Sequence, residues 1–365
     1  MRIALVAPSL EIGGAERIVV DLAVRQHALG HQVTVIAPEG PLDDELHAAG
    51  VPRRAIGERG RSRPGALVTA VEIARALRHC SPEVVHAHNP KVTALSCAAR
   101  RMLVTTDRPV VVATHHGGDP VEDRAAARLF RRADHLVCVS DDLRDRMVAC
   151  GRRAEAVEVI RNGTREPVPL DDATRARLDD ELDLRGPVVT TVGRLLPVKG
   201  IAQLIRAAPL VAATVPAARF LVVGDGRQRP ELEQLAVDEG VADLVRFTGV
   251  RRDAAALIAR STVVVLASRS EGLPLVALEA MAAGVPVVAP DVGGVGELLS
   301  TGAGVLLADT EPASIAAAIL PLLASEAERR RMGVAGRAVV AERHRLEDML
   351  GAYDALYARL LDGRP

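Results

Sequence analysis

Residues 266–290 read LASRSEGLPLVALEAMAAGVPVVAP. An apolar run gives way to a polar turn, Pro274 suits the first turn of a helix, where a missing N–H costs nothing, and Gly284-Val285-Pro286 ends that helix before a second apolar run begins. Strand, helix and strand in this order make one βαβ unit, so the stretch predicts a parallel sheet with helices on its faces. Within it, Glu271 follows the first strand and Glu279 lies inside the helix. Backbone N–H groups at Gly272 and Leu273, with the N-terminus of the helix behind Pro274, form an anion site suited to a diphosphate. Alone, two glutamates fit solvated helix charges better than a site; the Gly-Leu-Pro and Gly-Val-Pro turns around them favour a site.

The same alternation extends outward over the whole chain. Short β-branched runs at 3–7, 32–37, 84–87, 110–114, 135–139 and 157–160 are separated by Ala/Leu/Arg-rich stretches of helical period. A second series runs through 188–192, 219–223, 245–247, 263–267, 287–289 and 304–307. Between the two, Pro-rich and charged residues 166–186 suit a linker. Two domains follow, at 1–165 and 187–344, each a Rossmann-like doubly wound parallel sheet. At 365 residues the chain exceeds the size at which one core usually keeps growing. The stripe Leu346, Met349, Leu350, Tyr353, Leu356, Tyr357 and Leu360 gives a helix within 345–365 that needs a docking surface, and a return to the first domain is expected. Ligands of doubly wound sheets bind beyond the carboxyl ends of the strands, so two such domains predict binding edges facing a central cleft.

Composition excludes several classes. With 46 basic and 47 acidic residues, the net charge of −1 offers nothing to nucleic acid. Aromatic residues make up 1% of the chain and Trp is missing, so a ligand must be held by polar groups and backbone rather than by stacking. Cys80, Cys97, Cys138 and Cys150 show no Cys-x-x-Cys spacing, which suits buried thiols in a reducing compartment. The opening MRIALVAPSL is too short an apolar stretch for a signal-peptide core. The expectation is a cytoplasmic protein without a membrane span.

Three further constellations carry chemistry. In VGRLLPVKG (192–200), Gly193, Arg194 and Lys199 follow a strand; the two cations can converge on one phosphate, although the motif alone also fits a solvated basic loop. In VVGDG (222–226), Gly224, Asp225 and Gly226 make a tight turn beside which a base or ribose can lie. In the first domain, Gly13 and Gly14 let backbone approach a reacting centre, and the pattern is not Gly-x-Gly-x-x-Gly, which removes the main support for a dinucleotide-binding dehydrogenase. His86, His88, His115 and His116 lie near strand ends, yet no carboxylate or cysteine joins them at ligand spacing, so no metal is expected.

In combination and order, GGAER (13–17), THHG (114–117), Asn162-Gly163, GRLLPVKG, GDG and the Glu271/Glu279 pair resemble glycosyltransferase family 4, the retaining group of GT-B fold, over nearly the whole chain. The resemblance implies a nucleotide-sugar donor held mainly by the second domain, with Arg194 and Lys199 on the diphosphate, Glu279 on the ribose and Glu271 on the transferred sugar. It places His116, in the family's Thr-x-His element, beside the anomeric centre. The acceptor is implied to be a glycan, a glycolipid or a small molecule, met at the first domain. Retention is implied to proceed by front-face attack, with no metal and no other cofactor. The chain departs from the family's pattern at Arg165, where Asp commonly follows the Asn-Gly turn, and EGLP stands where EGFG is frequent. A nucleotide-sugar epimerase, a phosphorylase and a catalytically silent nucleotide-sugar-binding protein remain alternatives. The basic stretch 52–64, with Arg53, Arg54, Arg59, Arg61 and Arg63, fits either a solvated loop or a peripheral contact with anionic lipid at the inner membrane face.

Overall fold

Segments without polar alternation become strands covered on both faces, and in the computed structural model, which describes residues 1–57, 63–104, 108–167 and 169–363, they do so in two separate units. The first comprises Met1–Asn162 and the stretch from Glu347 onward; the second is Gly163–Leu346. No helix among the described residues is long and apolar enough to cross a membrane.

The first unit contains β1 (Arg2–Val6), β2 (Gln32–Ala37), β3 (Arg53–Ala55), β4 (Val84–His88), β5 (Val110–His115), β6 (His135–Cys138) and β7 (Val157–Val159), in the order β3-β2-β1-β4-β5-β6-β7. Every pairing is parallel. Strand β3 lies inside the stretch expected to be a basic loop. It is a short edge strand, Val35 pairing with Arg53 and Ala37 with Ala55, and because its side chains largely face solvent it shows no apolar period. Arg53 is committed to Asp43 at 2.7 Å. The remainder of that basic stretch, from Glu58 to Ser62, lies outside the described residues, as does the side chain of Arg63.

The helix Leu346–Asp362 belongs to this unit from Glu347 on and buries Met349, Leu350, Tyr353, Leu356 and Tyr357. Both tyrosines of the chain are here, and both are fully covered. Burying each aromatic or aliphatic side chain of such a stripe contributes roughly 1.5–3 kcal/mol.

The second unit contains β8 (Val188–Val192), β9 (Arg219–Val223), β10 (Val245–Gly249), β11 (Val263–Val265), β12 (Val287–Pro290) and β13 (Gly304–Leu307), ordered β10-β9-β8-β11-β12-β13 and again parallel. Successive residues pack on opposite faces, as a pleated strand requires. Val189, Phe220 and Val222 meet Leu204, Ile205 and Ile319, whereas Val188, Leu221 and Val223 meet Leu178, Leu184 and Leu257. Leu178 comes from the helix Asp172–Leu182, which forms within the stretch expected to be a linker. The Asp171 carboxylate caps this helix by accepting from the Thr174 N–H at 2.6 Å.

Candidate functional site

In the second unit the strand order reverses between β8 and β11, the point where a doubly wound sheet leaves a crevice at its carboxyl edge. The loop after β8 carries Gly193, Arg194 and Lys199; the loop after β11 carries Glu271, Gly272 and Leu273. They are joined by Lys199 Nζ, which donates to Glu271 Oε1 at 2.7 Å. The Glu271 side chain is 9% exposed and that of Lys199 28%, so the carboxylate is the more deeply covered end of the pair. The backbone ties the same loops together, the Arg269 N–H donating to the Val198 carbonyl at 2.8 Å.

Neighbouring loops pack onto this pair. The Leu195 N–H donates to the Asp225 carbonyl at 2.9 Å, and the Gly193 N–H to that of Val223 at 2.9 Å. Gly224 has φ +126, and a Cβ there would overlap the Gly193 carbonyl; one on Gly226 would stand 2.6 Å from the Leu195 carbonyl oxygen. The spaces left by these two glycines are therefore taken up by the β8 loop. The Asp225 carboxylate accepts from the Gly226 N–H at 2.7 Å and from Arg229 at 2.9 Å, and these two donors hold its pKa below the ordinary carboxylate value.

The helix Leu275–Ala283 starts directly behind Gly272 and Leu273, with Pro274 in extended conformation at its cap, so its first N–H groups lie at the crevice edge. Ala277, Leu278, Ala280 and Met281 are buried, leaving Leu275, Val276 and Glu279 on the half-buried face. Glu279 lies about one helical turn past Leu275. Arg194 is exposed and stands outside the Lys199–Glu271 pair.

In the first unit the corresponding reversal lies between β1 and β4. Gly13 caps the helix Gly14–Ala28, and a Cβ at Gly13 would stand 2.5 Å from Oε2 of the buried Glu16. That carboxylate folds back to accept from Ser9 Oγ at 2.9 Å. At the ends of β4 and β5, His88 Nδ1 and His116 Nε2 are 3.0 Å apart, and their rings stack at 5.3 Å. His86 Nε2 meets Thr114 Oγ1 at 2.7 Å and His86 Nδ1 meets the Tyr357 hydroxyl at 2.5 Å. Thr114 Oγ1 also meets the Tyr353 hydroxyl at 3.1 Å. Burial lowers the pKa of His86 and His116 to about 3 and of His115 to about 4, and pushes His88 well below the ordinary value. All four imidazoles are neutral at pH 7. Arg146 grips Asp123 through two bonds of 2.7 Å and the Gly118 carbonyl at 3.1 Å, which secures the loop after His116.

Comparison with known proteins decides the family. A model described as Glycosyltransferase Family 4 matches residues 12–165, and one described as Glycosyl transferases group 1 matches residues 174–339. The chain is 30% identical to a GDP-mannose-dependent alpha-mannosyltransferase of Mycobacterium tuberculosis (strain CDC 1551 / Oshkosh) over 98% of each chain. The chain belongs to glycosyltransferase family 4. It is also 34% identical to the lipopolysaccharide core biosynthesis glycosyltransferase LpsE of Rhizobium meliloti (strain 1021), over 63% of this chain and 65% of that one. In fold it is similar to Anabaena HepE in complex with UDP and glucose, with a TM-score of 0.86 at 23% identity, covering 98% of this chain and 100% of that one. Its two Rossmann-like parallel sheets are those of a GT-B glycosyltransferase.

For this family 4 chain, the residues expected in the second unit gather around one crevice, on the loops after β8, β9 and β11 and on the helix Leu275–Ala283. Gly13, Gly14 and His116 lie in the other unit. Sequence reasoning passed over the turn after β12. Gly293 has φ +58, and a Cβ there would overlap the Glu271 carbonyl, while the Gly294 N–H donates to the Gly272 carbonyl at 2.6 Å. The signal was present as a Gly-Gly pair just beyond a strand. Among the described residues, no three His, Cys, Asp or Glu side chains are grouped to hold a metal ion.

Proposed function

We propose that this glycosyltransferase moves a sugar from a nucleotide diphosphate to an acceptor hydroxyl, with retention of anomeric configuration and without a metal ion. The observation that carries the reading is the Lys199–Glu271 pair at the reversal between β8 and β11, beside the N-terminus of the helix Leu275–Ala283. Cation, helix N-terminus and carboxylate together suit a diphosphate that continues into a sugar rich in hydroxyls. In this proposal Arg194 and Lys199, with Gly272, Leu273 and the start of the helix, hold the diphosphate. Glu279 accepts from the ribose, Gly193, Gly224, Asp225 and Gly226 line the nucleoside, and Glu271 accepts from the transferred sugar. His116, with Gly13 and Gly14, serves the reacting end of the donor from the first unit.

The chemistry then asks for charge stabilisation and positioning. The bond from the anomeric carbon to the phosphate oxygen breaks as the acceptor oxygen attacks from the same face, and that acceptor's proton passes to the departing phosphate. Negative charge grows on the diphosphate, where Arg194, Lys199 and the helix N-terminus supply the compensation a divalent cation gives elsewhere.

The test is thermal shift with UDP-, GDP- and ADP-sugars in EDTA, using the parent protein, Glu279→Ala and Lys199→Ala. GDP- and UDP-sugars come first, given the GDP-mannose dependence of the mycobacterial relative and the UDP bound to Anabaena HepE. One nucleotide class is expected to stabilise the parent and neither variant. Transfer abolished by EDTA and restored by Mg²⁺ or Mn²⁺ would overturn the metal-free mechanism. Release of sugar phosphate in inorganic phosphate would identify a phosphorylase instead, and alteration of the donor without acceptor an epimerase.

A further inference from the structure

The histidines at the ends of β4 and β5 form a buried assembly of which the proposed function uses His116 and leaves His86 and His88 without a role. Two neutral imidazoles 3.0 Å apart, His88 through Nδ1 and His116 through Nε2, share one proton in one hydrogen bond. The direction of that bond sets which nitrogen of His116 carries hydrogen. If His88 donates, His116 is protonated on Nδ1; if His116 donates, His88 must carry its proton on Nε2. Both outer atoms, His88 Nε2 and His116 Nδ1, are covered and have no hydrogen-bond partner among the described residues. Either arrangement therefore leaves one N–H unmatched, and the arrangements differ in where it lies. His88 is 1% exposed, whereas His116 is partly exposed, so an incoming oxygen reaches the His116 end with less rearrangement.

The rest of the assembly holds His88 still. Its ring lies against that of His86, with centroids 4.0 Å apart. His86 is fixed at both nitrogens, by Thr114 and by Tyr357 from the C-terminal helix, and Thr114 is held in turn by Tyr353.

Resting on the proposed role of His116, we propose that His88 is its positioning residue: His88 Nδ1–H donates to His116 Nε2, fixes the ring, and leaves His116 Nδ1–H as the donor offered to a substrate oxygen. His88 itself touches no substrate. It acts through the tautomer and the orientation of its neighbour, as outer-shell partners of metal-bound histidines do.

The experiment uses the full chain labelled with ¹⁵N-histidine, in which long-range ¹H–¹⁵N spectra distinguish Nδ1–H from Nε2–H rings, alongside steady-state kinetics of transfer. The parent is expected to show His116 as the Nδ1–H tautomer. His88→Leu, which fills the space without a polar atom, is expected to give a tautomer mixture and a kcat lower by about 10- to 100-fold, with the donor KM little changed. His88→Asn places an amide at the position of Nδ1 and restores both readouts; His88→Gln places it near Nε2 and does not. An Nε2–H tautomer at His116 in the parent would overturn the proposal. So would a folded His88→Leu with parental tautomer and kcat, or equal behaviour of the Asn and Gln variants. If the parent transfers no sugar, the functional reading fails, while the spectra still decide the positioning role.

Discussion

Removing the Lys199 ammonium separates what the pair at the crevice does for folding from what it does for transfer. Lys199 Nζ lies 2.7 Å from Glu271 Oε1, and the Glu271 side chain is only 9% exposed, so Lys199→Ala leaves a mostly covered carboxylate without its counter-charge. A hydrogen bond to a charged group contributes about 1.5–3 kcal/mol. Because Lys199 is itself 28% exposed, water screens part of the loss, and about 2 kcal/mol is the expected cost to the second unit. For a domain of this size that lowers the melting temperature by about 4–8 °C.

A second substitution makes the argument refutable. In Lys199→Ala/Glu271→Gln the carboxylate is replaced by a neutral amide that needs no cation, so most of the lost stability returns. On the proposed roles transfer does not return, because the cation for the growing charge on the diphosphate and the carboxylate for the transferred sugar are both missing. One such preorganised group accounts for about 100- to 1,000-fold in kcat. Calorimetry of the two variants and of Glu271→Gln, with kcat measured on the same samples, completes the cycle. A Lys199→Ala protein melting within about 1 °C of the parent would show that the pair carries no folding energy. A double variant that regains turnover would show that Lys199 serves only to neutralise the Glu271 carboxylate, and that neither charge takes part in transfer.

Two further outcomes follow from the geometry. Gly293→Ala strains a backbone at φ +58 and drives a methyl into the Glu271 carbonyl, whereas Gly240→Ala meets a similar φ of +68 in open space; the first is expected to cost at least about 1–3 kcal/mol more and to abolish nucleotide-dependent stabilisation, and equal melting temperatures would refute it. The buried imidazoles make the first unit acid-sensitive: burial holds His86 and His116 at about 3 and His115 at about 4, while the unfolded chain takes up these protons near the ordinary value of about 6.5. Below about pH 6.5 the unfolded state binds more protons, so stability is full above that value and falls as the pH drops towards the folded-state values, by up to about 1.4 kcal/mol per pH unit for each imidazole. Urea midpoints that stay level between about pH 7.5 and about pH 5 would contradict this.

The interior strands were legible wherever both faces are buried, since a run such as Val263–Val265 or Val287–Pro290 has no polar alternation to confuse the reading. Strand β3 was not, because Arg53 and Arg54 sit on an edge whose only requirement is backbone pairing with β2. The docking of the helix Asp172–Leu182 was hidden within the linker-like composition of 166–186: one fully buried residue, Leu178, gives too weak a stripe to announce a surface. In the site, the residue types were readable and their partners were not. Lys199 and Glu271 are separated by 72 residues, and His86 and Tyr357 by 271, so neither pairing leaves a local trace.

The glycines show most clearly where sequence logic and structure diverge in reason. From sequence, a glycine after a strand reads as room for a ligand to approach the backbone. At Gly224 and Gly226 the room is used by the chain itself, since the carbonyls of Gly193 and Leu195 stand where side chains would be. Gly293 does the same against Glu271. Loops from β8, β9, β11 and β12 can crowd one edge only if some of them lack a Cβ, and crowding is what limits the freedom of the Lys199–Glu271 pair. A site of this kind obtains its precision from loop-to-loop packing rather than from regular structure. An alanine at Gly224 should therefore disturb donor binding through Gly193 and its neighbours, even if no atom of Gly224 ever touches the nucleotide.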